Sequence, residues 1–539
     1  MKALLKLFTI TFFTLTTIHA NIIQETYKSV DTNSRQSIPS FHYMRGVSKA
    51  DFRKAGDTTL VETFTIENPG TYTLVQDIGF DGQNNVANDG QSCAIYIKSN
   101  NVVLDLGGFT LYSNDTTGHT NTSTQKAIDI QRNRHNVSIK NGNISGFVDA
   151  GIFVRRQCNN VRIQDMTIGN CLKNGIVFAG TPNTAITDSN QISNCTIDNI
   201  TVAETTGITS AEDAYGLKLF NCYNIVVKDS SFGYANAGSL AVPKDSYGAL
   251  VVSGTNIIFN NCDASGNYGN NAYGFKLSGT TASEVSTGCQ FINCTANGNN
   301  AIIANTAYDS TKGVCYAFSG STVRACTWNN CTASGNEATQ TAHGFFYSNA
   351  QYCETFECTA LNNRGGNSGL SNLHGARGCY SITGTGNLWR DCVTKGQSVS
   401  SQAPAATMAV GIELDAEYFS LVQGCESSNN GSDAALQWGV GINLRNTLVS
   451  PSFFCTIDNC RVTNNKSNTA SQGAGIRDVA ATPRTFVTNC FTFNNGIGTT
   501  MNNYALTGVS KIGPATYNSM SGSFTDQLLP YINIDIKIT

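Results

Sequence analysis

Charge is scarce in this chain. Only 13% of its 539 residues are Asp, Glu, Lys or Arg, and the net charge is -3. No basic stripe is available to follow a nucleic-acid backbone, and there is no acidic tail. Nucleic acid is therefore not an expected partner. Long apolar runs are missing after residue 20, so nothing beyond that point predicts a membrane span, which needs about 20 apolar residues. Proline is rare, at 9 residues. Turns must come from other residues, and Asn together with 51 glycines supplies them. A sustained 3.6-residue apolar period is also absent, which counts against a helical or leucine-rich solenoid.

What is present begins with an export signal. Lys2 and Lys6 give a charged start, Leu4 to Ile18 is apolar and hydroxyl-rich, and Ile18-His19-Ala20 ends on a small residue suited to cleavage. The expectation is a secreted or cell-surface protein with no stable membrane insertion after signal removal.

The chain then repeats a phrase. NNCDASGN begins at Asn260, INCTANGN at Ile292 and NNCTASGN at Asn329. Weaker copies place Cys171, Cys195, Ser230, Cys358, Cys392, Cys425, Cys460 and Cys490 in the same column as Cys262, Cys294 and Cys331, at steps averaging about 32 residues. A fixed period in this range marks an architecture in which each unit buries its core against its neighbours. Nineteen cysteines in an exported chain would ordinarily suggest disulfides. Ten of them share this one column, so packing as buried thiols is the preferred reading. Disulfides across a corner, at pairs such as Cys289/Cys294 and Cys326/Cys331, or between stacked turns, are the alternative.

A second column precedes the first. Its copies include GLKL (216–219), GFKL (274–277), GIEL (411–414) and GINL (441–444), with poorer copies such as Ser381-Ile382. Large apolar residues alternate with variable ones, the pattern of a strand with one buried face. In the Cys phrase, the apolar residue three before the Cys (Phe259, Phe291, Trp328) and the Cys itself have opposite parity. Both can face inward only if the backbone breaks phase between them. Asn261, Asn293 and Asn330 are suited to that corner and are predicted to stack inward as a ladder of amides. The fold expected is all-β: one single-stranded parallel β-helix of about 14 turns. It occupies residues 61–510, after a signal at 1–20 and an N-terminal extension at 21–60, and before a C-terminal cap or tail at 511–539.

FTIENPGTYTLVQDIGF, CAIYIKSNNVVLDLGGFTLYSN and HNVSIKNGNISGF resemble the opening turns of right-handed parallel β-helix proteins of the pectin-lyase-like superfamily. The resemblance implies a right-handed coil and admits polysaccharide lyases, glycoside hydrolases, tailspikes and adhesins. Hydrolysis needs two carboxylates close together. Lyase chemistry needs a cation, often Ca²⁺, and a base. In the outward column of the first strand, the two carboxylates Asp129 and Glu413 lie nine turns apart, about 43 Å at the strand spacing. The Gly-His-Gly motif of a polygalacturonase is present only as fragments, at His343-Gly344 and His374-Gly375.

The strongest acidic cluster is Glu413, Asp415 and Glu417, which alternation directs to the outer side, beside a loop carrying His374 and Arg377. These five are the catalytic candidates, and the three carboxylates are the candidate Ca²⁺ ligands. No cofactor is otherwise required. Insertions at 181–190, 205–214, 235–246 and 301–313 are candidate binding loops. With so little clustered charge, the favoured function is a non-catalytic protein that binds a polysaccharide or cell-surface glycan. A polysaccharide lyase or hydrolase, and a structural rod or spike segment, are the alternatives.

Overall fold

The computed structural model describes residues 44–52, 63–81, 93–114, 125–180, 191–206, 213–237, 244–279, 284–301, 313–366, 375–399, 407–431, 438–445, 454–467, 473–478 and 485–497, with short strands beyond. It is a right-handed parallel β-helix, with the hand that parallel crossovers take. Its longest regular sheet holds 15 strands in strict sequence order, one per turn.

A single turn shows how the coil is made. Met408–Asp415 forms a strand of the 15-stranded sheet, Leu421–Gln423 a strand of a second sheet, and Glu426–Ser428 a strand of a third. The bends between them fall at Ala416, Phe419, Gly424 and Asn429, which have φ of 53°, 56°, 64° and 54°. Each such residue stands at the apex of a corner, where Phe419 and Asn429 point out and Ala416 is covered, and the residue after it points in. Glu417, Ser420, Cys425 and Asn430 are all buried. Asn and Gly recur at these corners because they enter the left-handed region at least cost.

The core follows from the two repeat columns. Phe259, Phe291 and Trp328 form one buried stack, with ring centroids 5.0 and 5.8 Å apart. Phe275, Phe318 and Phe345 form another, which continues through Cys379 to Ile412, Ile442 and Ile476. All 19 cysteines are buried as thiols. From Cys262 onward those of the main column donate to carbonyls of the preceding turn, Cys294 to Phe259 O (3.5 Å) and Cys358 to Trp328 O (3.4 Å). Burial, the largest influence, pushes the Cys158 thiol up to about 11 and Cys171 up to about 12. At the N-terminal end, Phe52 of the 3-10 turn Lys49–Phe52 is buried against Phe64 and Phe80.

Two expectations need correction. The corner asparagines Asn261, Asn293 and Asn330 do have left-handed backbones (φ 54°, 53° and 50°), but their side chains are exposed. They bond along the surface, Asn330 Nδ2 to Asn293 Oδ1 at 2.9 Å and Asn261 Nδ2 to Asp229 Oδ1 at 2.8 Å. The buried amides lie five residues after the Cys instead. Asn267, Asn299, Asn336, Asn363 and Gln397 are joined by successive bonds of 2.7, 2.9, 2.8 and 3.0 Å. Each follows a left-handed residue (Gly266, Gly298, Gly335, Asn362, Gly396) and so faces in. The second correction is one of register. Cys379, and not Ile382, occupies the Phe345–Ile412 column, so Tyr380 takes the outward place between Phe346 and Glu413.

Candidate functional site on the outer face of the long sheet

The outer face of the 15-stranded sheet is built by a tripeptide. Ala214-Tyr215-Gly216, Ser246-Tyr247-Gly248, Ala272-Tyr273-Gly274, Cys315-Tyr316-Ala317, Ala342-His343-Gly344 and Ala376-Arg377-Gly378 lie on successive turns. The small first and third residues lie against neighbouring backbone. A Cβ on Gly248 would come within 2.8 Å of Gly274 O, and one on Gly378 within 2.7 Å of Gly411 O. The middle residue is left on the outside. Three residues further on, a second outward column reads Lys218, Leu250, Lys276, Ser319, Phe346, Tyr380 and Glu413.

These columns form a continuous run of rings. Tyr215, Tyr247 and Tyr273 stack face to face at 4.8 and 4.7 Å. Tyr273 meets Tyr316 edge-on at 5.6 Å, and Tyr316 stacks on Phe346 at 4.5 Å. His343 then lies 5.0 Å from Tyr316 and 5.1 Å from Tyr380. Tyr215, Tyr316, Phe346 and Tyr380 are half-buried, while Tyr247, Tyr273 and His343 are nearly covered. Lys218 Nζ sits 4.2 Å above Tyr215, and Lys276 Nζ sits 4.0 Å above Tyr273.

Carboxylates anchor the first rings. Tyr215 donates its hydroxyl to Asp213 (2.9 Å) and Tyr247 to Asp245 (3.2 Å). Burial, followed by the charge of Asp213, raises the Asp245 carboxyl above its ordinary pKa. Burial lowers the Lys276 ammonium, against the pull of Asp245 and Asp213. A desolvated lysine lying on aromatic faces is thus held beside two acids.

The run of rings ends on a charged cluster. Arg377 lies 4.7 Å above Tyr380 and is paired with Glu413. Glu413 also accepts from Asn443 Nδ2 (3.0 Å) and faces Arg445 Nη1 at 3.7 Å. Burial is the largest single influence and opposes the charge on Arg377, but Glu413, Tyr380 and Asp415 together outweigh it and the guanidinium pKa is raised.

The expected solvent-facing acidic cluster is therefore corrected. Glu413, Asp415 and Glu417 are all fully buried. Glu413 and Asp415 do leave the sheet on its outer side, where Glu413 serves as counter-ion to Arg377, and Asp415 lies 3.5 Å from the Tyr380 hydroxyl. Glu417 falls on the other side of the left-handed residue Ala416, so alternation does not reach it. Its carboxylate accepts from Ser381 Oγ (2.6 Å), Gly384 N (2.7 Å), Ser420 Oγ (2.6 Å) and Asn387 Nδ2 (3.1 Å). These four bonds tie the corner together around its carboxylate. Among the described residues, no three His, Cys, Asp or Glu side chains come together to hold a metal ion. Arg377 is in the strand Ala376–Ile382 and not in a loop. His374 lies outside the described residues, as do most of the four insertions expected to bind.

No protein-family model and no curated protein sequence matches the chain. Among solved structures it is similar to the A-module of the Azotobacter vinelandii mannuronan C-5 epimerase AlgE4, at 13% identity over 76% of this chain and 99% of that one, with a TM-score of 0.45. It is similar to PfbA, a surface adhesin of Streptococcus pneumoniae, at 10% identity over 83% and 92%, TM-score 0.39. It also resembles tailspike protein 2 of bacteriophage CBA120, at 13% identity over 63% and 48%, TM-score 0.33. The likeness is one of fold. At these identities nothing of their chemistry carries over to this chain.

The sequence reading missed the tyrosine column and Tyr380. The signal was the recurring small-aromatic-Gly tripeptide just ahead of each strand's apolar pair.

Proposed function

We propose that this is an exported, non-catalytic β-helix protein that binds an extended glycan along the outer face of its long sheet. The observation that carries this reading is the run of seven rings across six successive strands, from Tyr215 to Tyr380, with Lys218 and Lys276 set upon it. The half-buried rings of the run, Tyr215, Tyr316, Phe346 and Tyr380, offer apolar surface to the C–H groups of pyranose rings, and ammonium groups beside them bind hydroxyls or acidic substituents. A repeat every turn suits a ligand that itself repeats. No helix among the described residues is long and apolar enough to cross a membrane, and export by residues 1–20 belongs to this proposal.

A second reading, a polysaccharide lyase or hydrolase, draws on the approach of Arg377, Tyr380 and His343, which sets a cation beside two groups able to move protons. Ca²⁺ is not required by the first reading and remains a proposed addition to the second. The test is a panel of neutral and acidic polysaccharides, with and without Ca²⁺, scored for binding and for turnover. Tyr273→Ala combined with Lys276→Ala should weaken binding at least tenfold while melting stays cooperative. Unchanged binding by that variant would refute the first reading, and turnover abolished by Tyr380→Phe would establish the second.

A further inference from the structure

One corner of the coil changes its chemistry part-way along. In six successive turns, the left-handed corner residue before the second strand is Asn101, Asn136, Asn160, Asn194, Asn224 and Asn256, with φ between 51° and 56°. Neighbours bond to one another, at 2.7 Å from Asn136 to Asn101 and 2.8 Å from Asn160 to Asn136. Backbone bonds carry the row on through Gly288, Ala325, Tyr352, Gly386 and Phe419. Asn is the residue this backbone favours, and an aromatic one is strained there. Yet Tyr352 (φ 55°) and Phe419 (φ 56°) hold the position with their side chains 61% exposed. Phe454 (φ 56°) follows, 40% exposed and stacked on Phe419 at 5.5 Å with the rings 4° from parallel.

Neither backbone preference nor core packing accounts for large rings at this place. Gly386 shows that room is kept for them: a Cβ there would lie 2.8 Å from Tyr352 Cδ1, so the Tyr352 ring rests over the glycine's backbone. The surface is also selectively aromatic. Of the eight large hydrophobic residues exposed among the described ones, six are Tyr or Phe, and the other two, Met44 and Val75, lie far from this row in the sequence.

We infer that Tyr352, Phe419 and Phe454 form a second binding strip, whose ligand is the pyranose faces of a glycan chain. Area decides against a protein partner. An aromatic side chain offers about 150–250 Å². At these exposures the three rings present about 240–400 Å², well short of the ~800 Å² per partner that a stable protein interface buries. Such a patch matches the apolar faces of two or three sugars. Tyr352 and Phe419 stand two turns apart, about 10 Å, so they meet alternate sugars of an extended chain laid along the corner. Gln351, at the preceding position, accepts from Arg324 Nη2 (2.8 Å) and places polar groups at the edge of the strip. The strip is separate from the tyrosine run on the long sheet and does not depend on it.

The row itself supplies the test. Tyr352→Asn with Phe419→Asn restores the residue that the earlier turns use, so the fold is kept. Both proteins are run through native gels containing laminarin, hydroxyethylcellulose, xyloglucan or galactomannan. The expected result is retardation of the wild type by at least one of them, weakened at least fivefold in the double variant, with a melting temperature no lower than wild type. Tyr273→Ala with Lys276→Ala should leave that share of the retardation in place, which separates this strip from the site on the long sheet. The inference is overturned if the double variant binds every polysaccharide as the wild type does, or if no gel retards the wild type. It is equally overturned if size exclusion shows that these rings hold two copies of the chain together.

Discussion

Replacing Asn336 by Ala should unfasten the turn it belongs to far more than replacing Asn330, six residues earlier. Both are asparagines of the same repeat phrase, and both bond an amide of the turn before. Asn336 is fully buried, and its Oδ1 accepts from both Asn299 N (3.1 Å) and Asn299 Nδ2 (2.9 Å). Its own amide donates to Asn363 Oδ1 at 2.8 Å. Removing it leaves two donors of Asn299 without an acceptor and out of reach of water. At about 1–3 kcal/mol for each buried orphan, the loss is about 2–6 kcal/mol. Asn330 makes one bond on the surface, at 2.9 Å to Asn293, and water replaces it. What Ala loses there is the left-handed preference, about 1 kcal/mol, and Ala325 already holds such a corner at φ 49°. Gln397 occupies the buried row naturally, so Asn336→Gln should fall between the two. Urea unfolding followed by the fluorescence of Trp328, which lies in the same turn, reads the local loss. Equal midpoints for Asn336→Ala and Asn330→Ala would refute the assignment of the buried row as the brace of this corner.

Three further outcomes are expected. Trp328→Ala removes a fully buried ring stacked between Phe291 and Tyr347 and should cost about 3–5 kcal/mol, confined mainly to adjacent turns, as hydrogen exchange would show; protein-wide loss of protection would contradict nearest-neighbour coupling. Thiol reagents at pH 8 should label almost none of the 19 cysteines in the native protein and all of them in urea, and rapid native labelling of Cys158 or Cys171 would contradict their burial and raised pKa. Glu417 has a raised folded pKa, chiefly from burial, so the folded state holds its proton more tightly than the unfolded chain and stability should fall as pH rises above about 4.3 toward the folded value. Glu417→Gln should flatten that slope, and an unaltered slope in the variant would exclude Glu417 as its source.

Most of the scaffold was legible because its signals are local and repeated. The Phe259–Phe291–Trp328 stack, the Cys column and the phase break at Asn261 all follow from parity within an eight-residue phrase. The errors share one cause. Strand alternation was carried across corners, where a left-handed residue resets it. Had each left-handed Asn or Gly been read as pointing out and its successor as pointing in, Asn267 and Asn336 would have been assigned to the interior by the glycines before them. Ala416 hid the same event, because alanine does not advertise a left-handed backbone, and Glu417 was therefore sent to the surface.

Exposure was the second failure, and it has a different origin. Alternation tells which side of a sheet a residue leaves from and nothing about what lies over it. Glu413 does leave from the outer side, yet it is covered, and its charge is answered by Arg377, which the sequence had set beside it, and by Arg445 of the following turn, which it had not. The register depended on seeing that Cys379 replaces a large apolar residue. Once Cys379 is in the core column, Tyr380 moves beside Glu413, Arg377 joins the middle place of the tripeptide, and the tyrosine run becomes visible as a single feature from Tyr215 onward. The surfaces proposed here to bind glycan are therefore written in the positions that repeat least well. The core repeats because every turn must bury the same shape. The outer columns pass from tyrosine to histidine to arginine, and the corner row from asparagine to phenylalanine, because folding leaves those positions open to other demands.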